Sequence, residues 1–520
     1  MDQQPASPHR RIRPAHLTER NTMTRLPARL TRRTFIGAGL GGATLLALAA
    51  CTPNPRFITP TSAAVGDAEA ARQTTGAVTK VTLDAAPTVV DLAGTQVDTW
   101  AYGSIPAPVI RVGQGDRVQA TLRNELPDSS SIHWHGLALR NDMDGVPHLT
   151  QDPVAAGTTF SYDFVAPHPG TFWFHPHSGT QLDRGLYGAL IIDDPAEPGG
   201  YDDEWVVILD DWLDGVTATP DEVLEDLSRG MGGMGEMDGF MQMGNMLMGA
   251  TSEALGGDAG DVYYPHYLIN GRPTADPETY QASPGTRVRI RLINAGSDTA
   301  FRVALTGHRL TVTHTDGFPV DPYTGDAVLI GMGERYDLLV TLADGAFALV
   351  AEAEGKRQRT RAIVRTSSGE PPAENAAVPE LSRQLITADL LRASEGVQLA
   401  ERAPDRKLTV RLTGGMAEYD WALDGNPFNM DDPMRNAHPV TAGERVRLTF
   451  VNDTKMWHPM HLHGHTYQHS GGPRKDTSIV LPGQRLVVEF DADNPGRWLT
   501  HCHNLYHGES GMMGVLAYSA

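Results

Sequence analysis

Cysteine is almost absent from this sequence, and positive charge is scarce. The 520 residues contain two cysteines, Cys51 and Cys502, whose unrelated contexts exclude a disulfide framework. The 43 Lys and Arg are outnumbered by 63 Asp and Glu, so the formal net charge is −20. Because an acidic chain is a poor partner for phosphate backbones, we expect no nucleic-acid binding.

Turn residues and histidine are abundant. The 54 Gly and 36 Pro are too few to indicate disorder but favour a β-rich fold. The length predicts two to four domains, and 40 % hydrophobic residues suffice for large cores. Beside twenty His, a single Cys in the folded body points to a metal site or a nucleophile.

The first 51 residues have the pattern of an export signal. Residues 31–36 (TRRTFI) resemble a twin-arginine signal. The apolar run at 35–50 fits a signal peptide and is too short and glycine-rich to predict a transmembrane helix. Residues 48–51 (LAAC) resemble a lipoprotein cleavage box with Cys51 as the lipidated residue; the alternative is a plain signal cleavage nearby.

These features predict export by the twin-arginine route to the cell envelope. We expect a lipid anchor at Cys51 on the outer face of the cytoplasmic membrane, or secretion, and no other membrane contact. The first residue is Met1 or Met23. The polar segment at 52–77 is interpreted as a tether.

One strand pattern occurs three times, at 115–124 (GDRVQATLRN), 285–294 (GTRVRIRLIN) and 443–452 (GERVRLTFVN). Each copy has a turn glycine followed by alternating apolar residues, which predicts a β-strand. The wide spacing indicates domain duplication and predicts three β-sandwiches of about 150 residues each. We place them at 78–198, 199–368 and 369–520, with an insertion at 215–262 in the second.

The sequence contains four His-x-His pairs: His133 and His135, His175 and His177, His461 and His463, and His501 and His503. In a strand, residues i and i+2 face the same side, so each pair presents two imidazoles together. Two pairs lie in the first domain and two in the third, which predicts that all eight converge where these domains meet. Imidazole suits Zn, Cu, Fe and Ni, and eight ligands are too many for one zinc ion. A zinc hydrolase is a poor fit, because no His-Glu-x-x-His motif accompanies the pairs.

Cys502 lies between two of these histidines, so its side chain faces the other way. We place His458, His507 and Met512 on that second face. Two His, one Cys and a weak Met form the ligand set of a blue-copper electron-transfer site.

These motifs resemble those of three-domain multicopper oxidases, the group that contains laccases, bilirubin oxidases and bacterial cuprous oxidases. The resemblance spans roughly residues 78–520 and is greatest to actinobacterial copper-resistance oxidases. It implies an all-β fold of three consecutive cupredoxin-like Greek-key β-sandwiches. It also implies one-electron oxidation of a donor coupled to four-electron reduction of O2 to water.

The resemblance further implies four copper ions, one type 1, one type 2 and two type 3. The type 1 copper would be held by His458, Cys502, His507 and axial Met512. The type 2 copper would be held by His133 and His461. One type 3 copper would be held by His135, His175 and His503, and the other by His177, His463 and His501.

Two carboxylates are candidate proton relays in the catalytic cycle. Asp144 lies eleven residues after His133, where family members place a carboxylate near the copper cluster; the alternative is a turn Asp before Gly145. Glu509 is the second candidate. Many bacterial relatives carry Glu directly after the last type 1 His, a position occupied here by Gly508, and this shift changes the direction of the side chain.

Seven methionines crowd the insertion: Met231, Met234, Met237, Met241, Met243, Met246 and Met248. Thioether is a soft ligand that favours Cu(I), and repeated glycine favours a flexible loop over a Met-rich helix face. The first hypothesis is a monomeric cuprous oxidase that confers copper tolerance, with Fe(II) as a further donor. The second is a laccase-like oxidase of phenols or aryl amines. The third is a copper-sequestering surface protein without enzymatic activity.

Overall fold

The computed structural model describes residues 56–197, 199–230 and 239–520. The predicted export signal, including Cys51, lies outside the described residues, as do Met231, Met234 and Met237. Within the described ranges, no helix has both the length and the apolar character needed to span a bilayer.

Strands dominate the structure, which confirms the predicted all-β architecture. The described residues contain three short α-helices: α1 (Ala63–Ala70), α2 (Pro220–Ser228) and α3 (Leu505–Glu509). Short 3-10 helices occur at Asn141–Met143, Gly179–Arg184, Pro379–Ser382, Ala388–Leu390 and Glu395–Val397.

The first pair of sheets, called the first sandwich, contains eight strands. These are β1 (Val78–Leu92), β2 (Thr95–Tyr102), β3 (Ala107–Gly113), β4 (Arg117–Asn124), β5 (His133–His135), β6 (Thr159–Val165), β7 (Gly170–His175) and β8 (Gly188–Asp193). Their order is β2-β1-β4-β6 in one sheet and β3-β8-β7-β5 in the other. Alternate β4 residues, Val118, Ala120 and Leu122, are fully buried in a core shared with Phe172 and Phe174 of the facing sheet. This burial matches the period of two predicted for the repeated strand.

The second sandwich contains the largest number of strands. Its strands are β9 (Asp203–Trp212), β10 (Met241–Met243), β11 (Met246–Met248), β12 (Thr251–Ser252), β13 (Gly257–Asp258), β14 (His266–Ile269), β15 (Arg272–Pro273), β16 (Thr279–Gln281), β17 (Arg287–Asn294), β18 (Phe301–Leu305), β19 (Leu310–Thr315), β20 (Phe318–Gly325), β21 (Ala327–Ile330), β22 (Arg335–Thr341), β23 (Ala346–Ala353), β24 (Gln358–Arg365) and β25 (Leu385–Ile386).

Its two main sheets have the orders β15-β14-β9-β17-β22-β19-β20 and β16-β24-β23-β18-β21-β25. Between β9 and β14 the chain leaves these sheets and forms α2 and two small hairpins, β10–β11 and β12–β13. Strand β25 lies beyond the boundary placed at residue 368, yet it pairs with β21 at the edge of the six-stranded sheet.

The third sandwich contains eleven strands. These are β26 (Arg406–Thr413), β27 (Ala422–Leu423), β28 (His438–Val440), β29 (Arg445–Asn452), β30 (His458–Leu462), β31 (Tyr467–His469), β32 (Arg474–Lys475), β33 (Thr477–Val480), β34 (Arg485–Asp491), β35 (Arg497–Cys502) and β36 (Met513–Tyr518). The sheet orders are β27-β26-β29-β34-β31-β32 and β28-β36-β35-β30-β33.

The three copies of the repeated sequence occupy equivalent strands, β4, β17 and β29. Each pairs in parallel with the first strand of its sandwich, which is β1, β9 or β26. Each also pairs antiparallel with a later strand, which is β6, β22 or β34. The sequence repeat is therefore a structural repeat as well.

The asparagine that ends each copy forms hydrogen bonds from its side chain to nearby backbone groups. Asn124 is buried; its Nδ2 donates to two backbone carbonyls at 2.8 Å, and its Oδ1 accepts from the amide of Leu126 at 3.1 Å. Asn294 and Asn452 make the corresponding three bonds in the other sandwiches. One side chain thus satisfies three buried backbone groups at each corner.

The predicted tether at 52–77 is wrong where the structure describes it, because residues 57–72 pack on the body. The amide of Ile58 donates to Tyr518 at 2.8 Å, and the Glu69 carboxylate of α1 accepts from the amide of Val165 at 2.9 Å. Arg72 donates to the carbonyl of Ala138 at 2.6 Å. The polar, alanine-rich composition concealed these long-range contacts.

Replacing Asn124 by Ala should lower the free energy of unfolding by about 2–5 kcal/mol, because three buried backbone groups lose their partner. Chemical denaturation followed by tryptophan fluorescence measures this change. The matched control is Asn426→Ala, since Asn426 is exposed and its Nδ2 donates only to a local carbonyl. Equal stability of the two variants would contradict the stabilising role assigned to the Asn124 side chain.

Candidate metal centre

Two antiparallel strand pairs carry the histidine motifs. In the first sandwich β5 pairs with β7, which places His133 opposite His175. In the third sandwich β30 pairs with β35, which places His461 opposite His501. The same construction therefore delivers two His-x-His motifs from each sandwich to one junction.

The eight histidines form one buried group, called here the imidazole cluster. Ring centroids of His133 and His463 lie 3.8 Å apart, as do those of His135 and His461, so rings from the two sandwiches stack. Three sets have ligand atoms within 4.8 Å of one another: His133, His135 and His461; His135, His175 and His503; and His177, His463 and His501. The structure thus brings together the residues that the resemblance grouped at each cluster copper.

Several ring nitrogens of the imidazole cluster lack ordinary hydrogen-bond partners. Nε2 of His133, His175 and His461, Nδ1 of His135 and both ring nitrogens of His503 are buried without a partner in the described chain. Nε2 of His501 faces Nε2 of His463 at 3.2 Å and Nε2 of His177 at 3.4 Å. Unpartnered buried nitrogens are costly, so this arrangement fits bound metal ions.

Electrostatics favours the metal-binding form of these side chains. Burial, reinforced by the neighbouring imidazoles, holds the pKa of His175, His177, His463 and His501 well below the usual range. A neutral imidazole keeps a lone pair for a cation, and copper is among the ions that imidazole suits.

A second donor set lies on the other face of β35 and is called here the thiolate site. The Cys502 sulfur is 3.6 Å from Nδ1 of His458 and 3.8 Å from Nδ1 of His507, and these two nitrogens are 3.1 Å apart. Burial raises the pKa of the Cys502 thiol, so a thiolate here requires a compensating cation. Two imidazoles and one thiolate converging on one point fit copper.

Met512 lies beside the thiolate site and is fully buried. Its carbonyl accepts from the Cys502 amide at 3.0 Å, and its own amide donates to the carbonyl of His507 at 3.0 Å. The backbone therefore fixes Met512 between two members of the site.

In both histidines of the thiolate site, the ring nitrogen that points away from Cys502, Nε2, contacts a residue that the sequence analysis did not identify. His458 Nε2 lies 2.8 Å from the Thr454 hydroxyl, and His507 Nε2 lies 3.0 Å from the Asp261 carboxylate. Asp261 comes from the insertion and is distant in sequence from His507. No spacing rule connects the two residues, so only the fold could identify the contact.

Asp144 is fully buried against the imidazole cluster. Its Oδ2 accepts from Nδ1 of His463 at 3.0 Å, its Oδ1 is 3.3 Å from Nδ1 of His133, and its carbonyl is 2.9 Å from the same nitrogen. The next residue, Gly145, has φ +81°, and an added Cβ would lie 1.8 Å from the Ile132 carbonyl oxygen. Asp144 is therefore a turn residue as well as a cluster contact.

Glu509 lines a small cavity that reaches the imidazole cluster. The cavity, of about 20 Å³, is bordered by His175, His177, His501, His503 and Glu509, among other residues, and has room for one water-sized group. Burial and the neighbouring Asp221 raise the pKa of Glu509 to about 7. Although the carboxylate comes one residue later than in many bacterial relatives, at Glu509 in place of Gly508, it still lies beside a cavity that the cluster borders.

The described part of the methionine-rich segment is a hairpin, which corrects the prediction of a flexible loop for residues 241–248. Met241 pairs with Met248 across β10 and β11, and Met243 pairs with Met246. The turn at Gly244, with φ +61°, permits this tight reversal. Residues at i and i+2 and directly opposed residues share a face, so all four thioethers lie on one face of this Met hairpin.

The opposite face of the Met hairpin anchors it. Leu247 is buried in a small apolar core with Leu255 and Trp457, whereas Met241 is exposed. The amide of Leu247 donates to the carbonyl of Asp261 at 2.7 Å, and Met246 forms a β-bridge with Val262. The hairpin is thus joined to the residue that contacts His507.

Comparisons with known proteins agree with this geometry. Family models described as multicopper oxidase match residues 85–197, 203–369 and 401–520. The chain is 46 % identical to multicopper oxidase MmcO of Mycobacterium tuberculosis over 94 % of this chain and 97 % of the relative. It is 28 % identical to a copper resistance protein A homolog of Pseudomonas syringae pv. tomato, over 94 % and 99 %.

A solved structure supports the fold. The laccase from Botrytis aclada superposes with a TM-score of 0.71 and 23 % identity, covering 90 % of this chain and 92 % of that one. The predicted fold of three cupredoxin-like β-sandwiches is therefore confirmed. With matching family models over most of its length and a relative of high identity across nearly the whole sequence, the chain belongs to the multicopper oxidase family and is an oxidoreductase.

Proposed function

We propose that this enzyme oxidises Cu(I) to Cu(II) at the cell envelope, reduces O2 to water and so confers copper tolerance. The observation that carries the proposal is the Met hairpin, which presents four thioethers beside the Asp261–His507 contact. Thioether sulfur prefers Cu(I) to harder cations. The similarity to a relative named as a copper resistance protein supports the same conclusion.

We infer four copper ions, the number that the family resemblance implies, and the donor sets support this count. His458, Cys502, His507 and Met512 would hold the type 1 ion, and the imidazole cluster would hold one type 2 and two type 3 ions. Copper bound in this way supplies one-electron oxidation of a donor and four-electron reduction of O2 to two waters.

The chain itself connects the two copper sites. Cys502 belongs to the thiolate site, and its covalent neighbours His501 and His503 belong to the imidazole cluster. Electrons therefore have a short path along bonded atoms of β35 from one donor set to the other.

Asp261 is proposed to guide electron entry. Its carboxylate accepts from Nε2 of His507, which leaves Nδ1 free to face Cys502 and His458. The backbone of Asp261 is hydrogen-bonded to the Met hairpin, so its carboxylate also attracts a cation that binds there. Fe(II) would be attracted by the carboxylate but not selected by the thioethers.

Asp144 and Glu509 are proposed to move protons to oxygen in the imidazole cluster. Asp144 contacts two ring nitrogens from different sandwiches, and Glu509 borders the cavity between two His pairs. O2 reduction consumes four protons, and buried carboxyl groups within reach of the cluster can deliver them.

Export by the twin-arginine route, lipidation at Cys51 and a monomeric state complete the proposal. Oxidation of Cu(I) outside the cytoplasmic membrane would yield the less permeant Cu(II). Globomycin treatment of expressing cells, which blocks lipoprotein cleavage, together with mass spectrometry of the mature N-terminus, tests the anchor. An unmodified mature N-terminus would contradict it.

Replacing Met241, Met243, Met246 and Met248 together by Leu should raise the KM for Cu(I) about tenfold or more, because four soft ligands are lost while the apolar volume is kept. Oxygen uptake by the copper-loaded protein measures the effect, with a phenol as the second donor. We expect the phenol rate to change less than twofold. Gln242→Ala, on the anchored face of the hairpin, is the control.

Each outcome discriminates among the functions. Equal loss with both donors would give the hairpin a structural role, and unchanged kinetics would favour a broad-range phenol oxidase. Copper uptake without oxygen consumption in the unaltered protein would instead indicate a sequestering protein.

Asp144→Asn should slow O2 reduction about 100-fold, because the amide cannot release a proton. Reduction of the thiolate-site copper by the donor under anaerobic conditions should keep its rate, which stopped-flow absorption measures. Asp142→Asn is the matched control, since Asp142 lies in the 3-10 helix that Asp144 caps but pairs with Arg140. Full turnover in Asp144→Asn would remove Asp144 from the proton path.

Glu509→Gln should likewise slow O2 reduction, about tenfold or more, while the copper content stays unchanged. The expected reason is loss of the carboxyl proton at the cavity between the His pairs. Steady-state oxygen uptake with saturating donor and metal analysis of the same sample measure both quantities. Glu225→Gln, on the exposed face of α2, is the control, and a rate equal to this control would refute the relay role.

A further inference from the structure

The second sandwich contributes no residue to the ligand set, yet one of its arginines lies directly behind the imidazole cluster. Arg335 begins β22 and is fully buried. Its Nε donates to the carbonyl of Thr171 in the first sandwich at 3.1 Å. Its Nη1 and Nη2 donate to the two carboxylate oxygens of Asp476 in the third sandwich at 2.7 and 2.6 Å. One guanidinium therefore joins all three sandwiches.

Asp476 in turn contacts two histidines of the cluster. Its Oδ1 lies 3.2 Å from Nε2 of His135, and its carbonyl oxygen lies 3.0 Å from Nδ1 of His461. The hydroxyl of Thr477 lies within 3.1 Å of both nitrogens and donates to Asp476 at 2.9 Å. Carboxylate and carbonyl oxygens are acceptors, so each of these ring nitrogens carries a proton.

These contacts select opposite tautomers for the two histidines. His135 is protonated at Nε2, and its Nδ1 is an unpartnered nitrogen that faces the cluster. His461 is protonated at Nδ1, and its Nε2 is the unpartnered nitrogen. In a neutral imidazole only the unprotonated nitrogen can bind a metal, so the acceptor behind the ring decides which nitrogen is available.

We propose that Arg335 is a positioning residue of the copper cluster: by clamping Asp476 it fixes the tautomers and ring orientations of His135 and His461. The inference rests on the proposed function, in which these histidines bind copper. It adds the second sandwich, through this one side chain, to the machinery that reduces O2.

The geometry favours this role over that of an ordinary stabilising ion pair. A buried ion pair is by itself weak evidence for stability, because desolvation offsets its attraction. The planar guanidinium holds both oxygens of Asp476, whereas a lysine ammonium would hold them less rigidly. The fit is also tight, since a Cβ on Gly136, the residue after His135, would lie 2.4 Å from Arg335 Nη2 and 2.7 Å from Asp476 Oδ2.

A second buried acid keeps the pair in place. Asp316 accepts from the amides of Arg335 at 2.9 Å and of Asp476 at 3.1 Å, and it lies 3.1 Å from Nζ of Lys475. Arg335 thus connects this support to both Thr171 and the clamped carboxylate.

Arg335→Lys in the full copper-loaded protein tests the proposal. We expect the affinity of the imidazole cluster for copper to fall about 10- to 100-fold, the usual cost of losing a group that orients a metal ligand. Copper per chain after dialysis against a graded chelator measures the affinity, and the type 2 electron paramagnetic resonance signal identifies the ion affected. The visible absorption of the thiolate-site copper should be retained.

The matched control is Arg289→Lys. Arg289 is a buried arginine of the same sandwich whose Nη2 donates to Asp337 at 2.5 Å, and Asp337 also accepts from the Thr171 hydroxyl. This variant disturbs a comparable ion pair that does not touch the imidazole cluster, so it should keep the type 2 signal. Should Arg335→Lys fail to fold, Asp476→Asn, which keeps the side-chain shape, is expected to lose copper in the same way.

Three results would contradict the inference or its basis. Unchanged copper retention and an unchanged type 2 signal in both Arg335→Lys and Asp476→Asn would overturn the positioning role. Equal losses in Arg335→Lys and Arg289→Lys would reduce it to a structural effect. An unaltered protein that takes up no copper would overturn the proposed function instead.

Discussion

Eight imidazoles can share one buried junction only if the nitrogens that face inward bind something. Each buried nitrogen without a partner costs about 1–3 kcal/mol, and several such nitrogens belong to the histidines of this cluster. The surrounding structure meets this constraint from outside the cluster. Asp144, Asp476 and backbone carbonyls accept from the outer nitrogens, which leaves the inner lone pairs free. The contacts of the second sandwich, including Arg335, follow from the need to hold those acceptors still.

Duplication of one sandwich explains how such a junction arises, and how its copies diverged. The first and third sandwiches keep the paired His strands, β5 with β7 and β30 with β35. The second keeps the repeated strand and its corner, Asn294, but has no His in the corresponding strand. It contributes support instead. Arg335 clamps Asp476, and Gly333 leaves no room for a side chain between the rings of His135 and His503.

The strand repeat and the His pairs were predictable from the sequence because both depend on local spacing. A period of two fixes which side chains share a face, and four His-x-His motifs already imply convergence. Asp261, Asp476 and Arg335 could not be found in this way, since their partners lie in other sandwiches. The packing of residues 57–72 was missed for the same reason. The Met hairpin was missed because glycine-rich composition resembles that of a loop, whereas Gly244 serves here as a turn.

The burial of His507 bears on which donor the enzyme uses. His507 is fully buried and Asp261 nearly so, so a bulky phenol cannot rest directly on the imidazole edge that Asp261 covers. A small ion needs no such pocket, because under the proposed function the thioethers of the Met hairpin, of which Met241 is exposed, would hold it beside Asp261. Under the proposed function, the electron of this ion would cross only the hydrogen bond between Asp261 and His507 and the short gap to Cys502. The insertion therefore keeps large donors off the His507 edge that Asp261 covers, and under the proposed function it would offer soft ligands to a small one.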